Sequence, residues 1–105
     1  VRLTGCIFVD GERFFSTACG RFAVSKTGRV LGRSGRILSN RGSPYRTVSY
    51  RTEDKKTRHL YVHRLVAEVW HGVPEDGRDE VNHRDGNKLN NHRDNLEWVT
   101  RSGNV

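Results

Sequence analysis

Apolar and polar positions change rhythm along the chain, and each rhythm predicts an element. In "FAVSKTGRVLG" two short apolar runs flank Lys26-Thr27-Gly28, which predicts strand, tight turn, strand. The next stretch, "RSGRILSNRGSP", is rich in loop formers and has one brief apolar run at Ile37 and Leu38. "YRTVSYRT" alternates, with Val48 and Tyr50 on one face and Ser49 and Arg51 on the other. Polar "EDKK" then turns the chain into "RHLYV", the returning strand of a hairpin. After it Val62, Leu65, Val66, Val69 and Trp70 fall at i, i+3, i+4, i+7 and i+8, the stripe of one amphipathic helix. Gly72 and Pro74 end that helix, and "PEDGRD" is a turn. "EVNH" and "NLEWVT" read as two further short strands, with Leu96 and Trp98 facing inward on the second.

Length limits what these elements can build. A chain of 105 residues is one domain or a small module with an appendage, and its core is modest. Only 33% of the residues are hydrophobic, with two Trp, three Tyr and four Phe as anchors. No run approaches the roughly 18 apolar residues of a membrane span, and the first residues lack the apolar region of a signal peptide. A soluble cytoplasmic protein is expected. Cys6 and Cys19 lack the paired Cys-x-x-Cys spacing of a zinc ribbon, so the expectation is two reduced, small, buried side chains.

Charge divides the chain unevenly. Residues 1–60 carry 13 Lys or Arg against 4 Asp or Glu, a balance of +9, whereas residues 61–105 carry a balance of −2. One part therefore suits a polyanion while the other does something else. Arg29, Arg33, Arg36, Arg41, Arg46 and Arg51 recur through Gly- and Ser-rich segments, and Arg suits bidentate contacts with phosphate or guanine. With Lys55, Lys56 and Arg58, the first five of these are the candidate DNA-binding residues.

The stretch "VNHRDGNKLNNHRDN" joins the last two strands. Asn and Gly favour turns, so a polar surface loop is one reading of it. Two histidines so close together admit another, a metal-dependent site wrapped around the loop.

The combination of "YVHRLVAEVW", then "VNHRDGNKLNNHRDNLEWVT", then an Asn near position 104 resembles the HNH endonucleases, in the branch found in phages and mobile introns. The resemblance covers residues 61–104. "FAVSKTGRVL" is similar to the short nuclease-associated DNA-binding module that precedes such domains, through its Val-Ser-x-x-Gly-Arg-Val pattern at 24–30. The resemblance implies an α+β chain: a basic, β-rich DNA-binding module at 1–58, then one helix and a ββα-metal (His-Me finger) motif at 59–105, closed by a very short final helix. It implies a homing- or nicking-type endonuclease acting on double-stranded DNA, as monomer or homodimer, in a bacterial or phage-infected cell. It also implies one divalent ion, Mg²⁺ or Mn²⁺.

Site residues follow from the same match. His83 takes the place of the general base, a role that neutral imidazole can fill near pH 7. Asn82 and Asn104 take metal-ligand places, where amide oxygens suit a hard cation. Adjacent strand residues point to different faces, so Asn82 can face the metal while His83 faces the attacking water. Asn95 takes the central position, bracing the loop and orienting His83. The Asp85-Gly86-Asn87 turn is expected only to close the loop, His92 to be a surface residue, and His63 to serve packing or hydrogen bonding. Two other classes fit the charge: a DNA-binding protein that keeps this fold but cleaves weakly or not at all, and an RNA-binding or ribosome-associated basic module.

Overall fold

Asp10 and Gly11 both take positive φ, 55° and 80°, and close a two-residue hairpin between β1 (Cys6–Val9) and β2 (Glu12–Ser16). In this computed structural model residues 6–18, 20–38, 45–74 and 76–100 are described. The hairpin begins a five-stranded antiparallel meander that continues through β3 (Ala23–Ser25), β4 (Val30–Leu31) and β5 (Ile37–Leu38). The turn anticipated at Lys26-Thr27-Gly28 joins β3 to β4. There Ser25 and Arg29 close the loop through a backbone bond of 3.0 Å, and Gly28 adopts φ 95°.

Two antiparallel ribbons follow. β6 (Thr47–Arg51) pairs with β7 (Thr57–Tyr61), and β8 (Glu80–His83) pairs with β9 (Leu96–Val99). Between the ribbons runs α1 (Val62–His71). Tyr61 at its N-cap supplies no side-chain bond; instead the Val62 amide donates to the Arg46 carbonyl at 3.0 Å, satisfying one of the orphan donors of the first turn. Gly72, at φ 75°, ends the helix where the sequence placed its end.

Alternation along the strands sorts apolar side chains into two clusters. Val24 and Val30 join Phe22, Val48, Val62, Leu65, Val66, Ala67, Val81, Leu96 and Trp98 in the main core under α1. Ala23 and Leu31, one position out of phase, meet Phe14 on the other side of the meander. Each fully buried Val or Leu contributes about 1.5–3 kcal/mol relative to exposure. The main core draws on residues from both sides of position 58, which itself lies inside β7. The helix stripe is as expected at Val62, Leu65 and Val66, while Val69 and Trp70 are only partly buried.

One expectation is corrected. Cys6 is exposed rather than buried, because β1 alternates and turns Ile7 and Val9, not Cys6 and Phe8, toward the second cluster. Cys19, Arg41 and Asn104, with the expected final helix, lie outside the described residues. Among the described residues no helix is long and apolar enough to cross a membrane.

Candidate active site

Strand β8 delivers Asn82 and His83 to opposite faces at its end. His83 points inward and is 6% exposed, whereas Asn82 is half-buried on the other face. The Asn82 amide nitrogen donates to Oε1 of Glu97, its cross-strand partner on β9, at 3.1 Å. That bond turns the Asn82 amide oxygen away from Glu97. The second carboxylate oxygen of Glu97 pairs with Arg84 at 3.1 Å. Glu97 drew no attention in the sequence, although a strand with Leu96 and Trp98 inward must turn it outward, opposite Asn82.

On the inner face, Nε2 of His83 lies 2.8 Å from Oδ1 of Asn91. An amide oxygen can only accept, so Nε2 is the donor of this bond, and in the neutral ring Nδ1 is then the nitrogen with the lone pair. His63, from the first turn of α1, packs at a tilt against His83 with ring centroids 5.1 Å apart, and Tyr45 completes the cluster at 5.1 Å from His63 and 6.1 Å from His83. Burial pushes the His63 imidazole down to about 4, helped by the neighbouring His83 and then Arg64. Nδ1 of His63 is buried and has no hydrogen-bond partner among the described residues. A pocket of about 220 Å³, lined by Tyr45, Tyr61, His63, Arg64, Glu80 and Val81, opens beside it.

The loop between β8 and β9 is organised around Asp85. Its carboxylate accepts from the Asn90 and Asn95 side chains, each at 2.9 Å, and from the Asn87 amide at 2.8 Å. These bonds, from Asn90 first, then the Asn87 backbone and Asn95, hold the Asp85 carboxyl below its ordinary range. The Asn95 side chain also donates to the Asn90 carbonyl and accepts from the Asp85 amide, so Asn95 ties the loop together at three points. The residue bonded to His83, however, is Asn91. His92 is half-buried and accepts from the Asp94 amide at 3.1 Å, starting a 3-10 turn at Arg93–Asn95.

The basic residues separate by environment. Both arms of Arg29 are held within the chain, one by Asp10 and one by Glu12, each at 2.9 Å. Arg36, Lys55, Lys56 and Arg58 are exposed, as is Arg33, while Arg46 is half-buried. Lys55, Lys56 and Arg58 gather at the far end of the β6–β7 ribbon, and Arg51 and His59 lie on its outer face, opposite the face that Arg58 shares with Val48 and Tyr50.

Comparison with known proteins adds the family. A model described as HNH endonuclease matches residues 60–105, the span from the end of β7 through the His83 loop and β9. This segment belongs to the HNH endonuclease family. The DNA endonuclease I-HmuI of Bacillus phage SP01 is 39% identical over 90 residues, covering 82% of this chain and 50% of that protein. A putative HNH homing endonuclease, YosQ, from an SPbeta prophage of Bacillus subtilis is 46% identical over 62 residues, 58% of this chain and 35% of that protein. An HNH endonuclease of Acanthamoeba polyphaga mimivirus is 40% identical over 87 residues, 80% of this chain and 26% of that protein. The solved structure of I-HmuI, a study of DNA binding and cleavage by that HNH homing endonuclease, matches with a TM-score of 0.71 at 34% identity, over 85% of this chain and 53% of that one. The chain thus spans about half, or less, of the relatives it matches, and its small α+β fold matches that of I-HmuI.

Proposed function

We propose that this chain acts as a metal-dependent DNA endonuclease that hydrolyses one phosphodiester bond per active site. The observation that carries this reading is the fixed imidazole of His83. It stands at the end of a strand inside an HNH family segment, with Nε2 tied to Asn91, so that in the neutral ring Nδ1 is the nitrogen able to accept a proton.

In the reaction so read, Nδ1 takes a proton from a water molecule as the water oxygen attacks phosphorus. The bond from phosphorus to the 3′ oxygen breaks, and that oxygen leaves with a proton from solvent. General-base help of this kind supplies about 10²–10⁴-fold of the rate. Asn82 is the described residue that would hold a divalent ion, with Asn104 as its companion. The fit is supported by donor chemistry, since Glu97 engages the Asn82 nitrogen and leaves an amide oxygen for a hard cation. When bound, Mg²⁺ or Mn²⁺ supplies Lewis-acid neutralisation of the phosphate and the leaving oxygen.

Holding falls to the basic strands of residues 1–58, cutting to residues 59–105. The exposed cations at Lys55, Lys56 and Arg58, with Arg33, Arg36 and Arg46, are the proposed phosphate contacts, and Arg41 belongs with them by sequence. Arg29 is left out, because its two carboxylate partners already neutralise it. A monomer with a single site nicks duplex DNA, and a homodimer would be needed for two cuts.

The test is incubation with supercoiled plasmid and Mg²⁺ or Mn²⁺, beside a chelator control and the His83→Ala variant. Wild type should accumulate nicked circles, and His83→Ala should be slower by at least about a hundredfold at unchanged DNA affinity. Equal rates for the two proteins would remove His83 from the chemistry. Duplex binding without any cleavage would favour a DNA-binding protein that retains the fold.

A further inference from the structure

We propose that Asn91 is a positioning residue for His83, and that Gly28, in the turn between β3 and β4, is what lets Asn91 occupy its place. The proposal rests on the reading of His83 as the proton acceptor, and it brings a turn of the basic sheet into the working of the site.

Asn91 is 4% exposed and lies between two neighbours. On one side its Oδ1 accepts from Nε2 of His83 at 2.8 Å. A buried ring N–H needs an acceptor, and this one fixes both the ring's rotation and which nitrogen stays free. On the other side Asn91 is pressed against Gly28. A Cβ on Gly28 would stand 2.8 Å from the Asn91 Cβ, 2.8 Å from its carbonyl oxygen and 3.0 Å from its carbonyl carbon. Two of those three atoms are backbone, so no side-chain rotation relieves the collision. Two residues further on, the Arg93 amide donates to the Lys26 carbonyl at 2.7 Å. The His83 loop is therefore seated on the turn at two points, with Asn91 between the turn and the imidazole.

The turn is itself rigidly held. The Ser25 hydroxyl is fully buried and accepts from the Arg29 amide at 3.1 Å, while Thr27 donates to Glu12 and Arg29 bonds Asp10 and Glu12. A platform braced in this way can set a ring orientation one contact away. Gly35 provides a matched control. It occupies the next turn of the same sheet with a similar φ, +85° against +95°, yet no atom among the described residues comes within 4 Å of a Cβ built there. Backbone strain from alanine is common to both sites, whereas contact with Asn91 is peculiar to Gly28.

The experiment reads the imidazole directly. Long-range ¹H–¹⁵N correlation on the labelled whole chain, in alkaline buffer where imidazole is neutral, should show the Nε2–H tautomer of His83 in the wild type. Asn91→Ala should give a mixture of tautomers. It should also slow cleavage of saturating plasmid at least about tenfold while DNA affinity holds within about twofold. Asn91→Asp keeps an acceptor and should restore the single tautomer. Gly28→Ala should reproduce the tautomer shift and Gly35→Ala should not; unfolding of Gly28→Ala beside a folded Gly35→Ala supports the collision equally well. An unchanged tautomer in Asn91→Ala would overturn the proposal, as would identical behaviour of the two glycine variants. Because the tautomer is read without any cleavage, an inactive wild type with a fixed Nε2–H would sink the nuclease reading alone.

Discussion

His63 and His83 lie ring against ring, with centroids 5.1 Å apart and planes at 59°. Burial of His63 disfavours its charged form, and a second imidazole this close adds to the effect. The folded chain therefore keeps His63 neutral down to about 4, below its ordinary value of 6.5. An unfolded chain takes up that proton earlier. The sign follows: as pH falls from 6.5 toward 4, the unfolded state binds more protons and stability drains away. The urea midpoint should fall between pH 7 and pH 4.5, and His63→Phe, which keeps a ring in place, should flatten that fall. A slope that survives His63→Phe would assign the acid sensitivity to other groups.

A different kind of loss is expected at Asn95. Its side chain makes three bonds, to the Asp85 carboxylate, the Asp85 amide and the Asn90 carbonyl. Asn95→Ala should destabilise the chain by about 1–2 kcal/mol in urea titration, since water can reach the exposed partners and replace part of what is lost. Asp85→Asn keeps the shape but removes the charge that gathers these amides, and should cost a comparable amount. An Asn95→Ala variant as stable as wild type would mean that the loop holds its shape by its seat on the β3–β4 turn.

These residues also mark how far the sequence could be read. The helix was legible because its apolar stripe repeats at 3.6, and the β6–β7 and β8–β9 ribbons because their strands alternate. The β1–β2 hairpin was not singled out, although Asp-Gly at 10–11 is a strong two-residue turn signal; the adjacent Phe14 and Phe15 blur the alternation of β2. In the site, the expected roles of Asn82, His83 and Asn95 came from the resemblance to the HNH endonucleases. Nothing local distinguishes Asn91 from its neighbour Asn90, and its place is set by its bond to His83 and its contact with Gly28, more than sixty residues earlier. Arg29 was grouped with the DNA-binding cations because pattern counts charges; its partners Asp10 and Glu12 arrive through the register of the sheet.

Metal affinity should respond to the outer face of β8 and β9. Asn82→Asp adds a carboxylate at an oxygen-ligand position and should hold or lower the Mn²⁺ concentration needed for half-maximal cleavage. Asn82→Ala should raise it at least about tenfold. Glu97→Ala frees the Asn82 amide to rotate and leaves Arg84 unpaired, so the requirement should rise there too. Mn²⁺ titrations of single-turnover cleavage compare the three variants, and unchanged curves throughout would place the ion away from this face.

Binding to DNA should divide the cations by whether they already have carboxylate partners. Each phosphate neutralised on duplex DNA contributes about −0.9 to the slope of log affinity against log salt, because condensed counterions are released. Lys56 and Arg58 are exposed at the end of the β6–β7 ribbon, and changing both to Gln should make the slope shallower by up to about two units. The rate on saturating DNA should stay within a few-fold, since neither side chain belongs to the His83 site. Arg29→Gln should behave in the opposite way. Its guanidinium is bound by Asp10 and Glu12, so the salt slope should hold while the turn loosens and the urea midpoint falls. Affinity for one duplex at four salt concentrations, with urea titrations alongside, separates the two behaviours. A slope that shallows for Arg29→Gln and not for the ribbon pair would move the phosphate contacts from the β6–β7 ribbon to the β3–β4 turn.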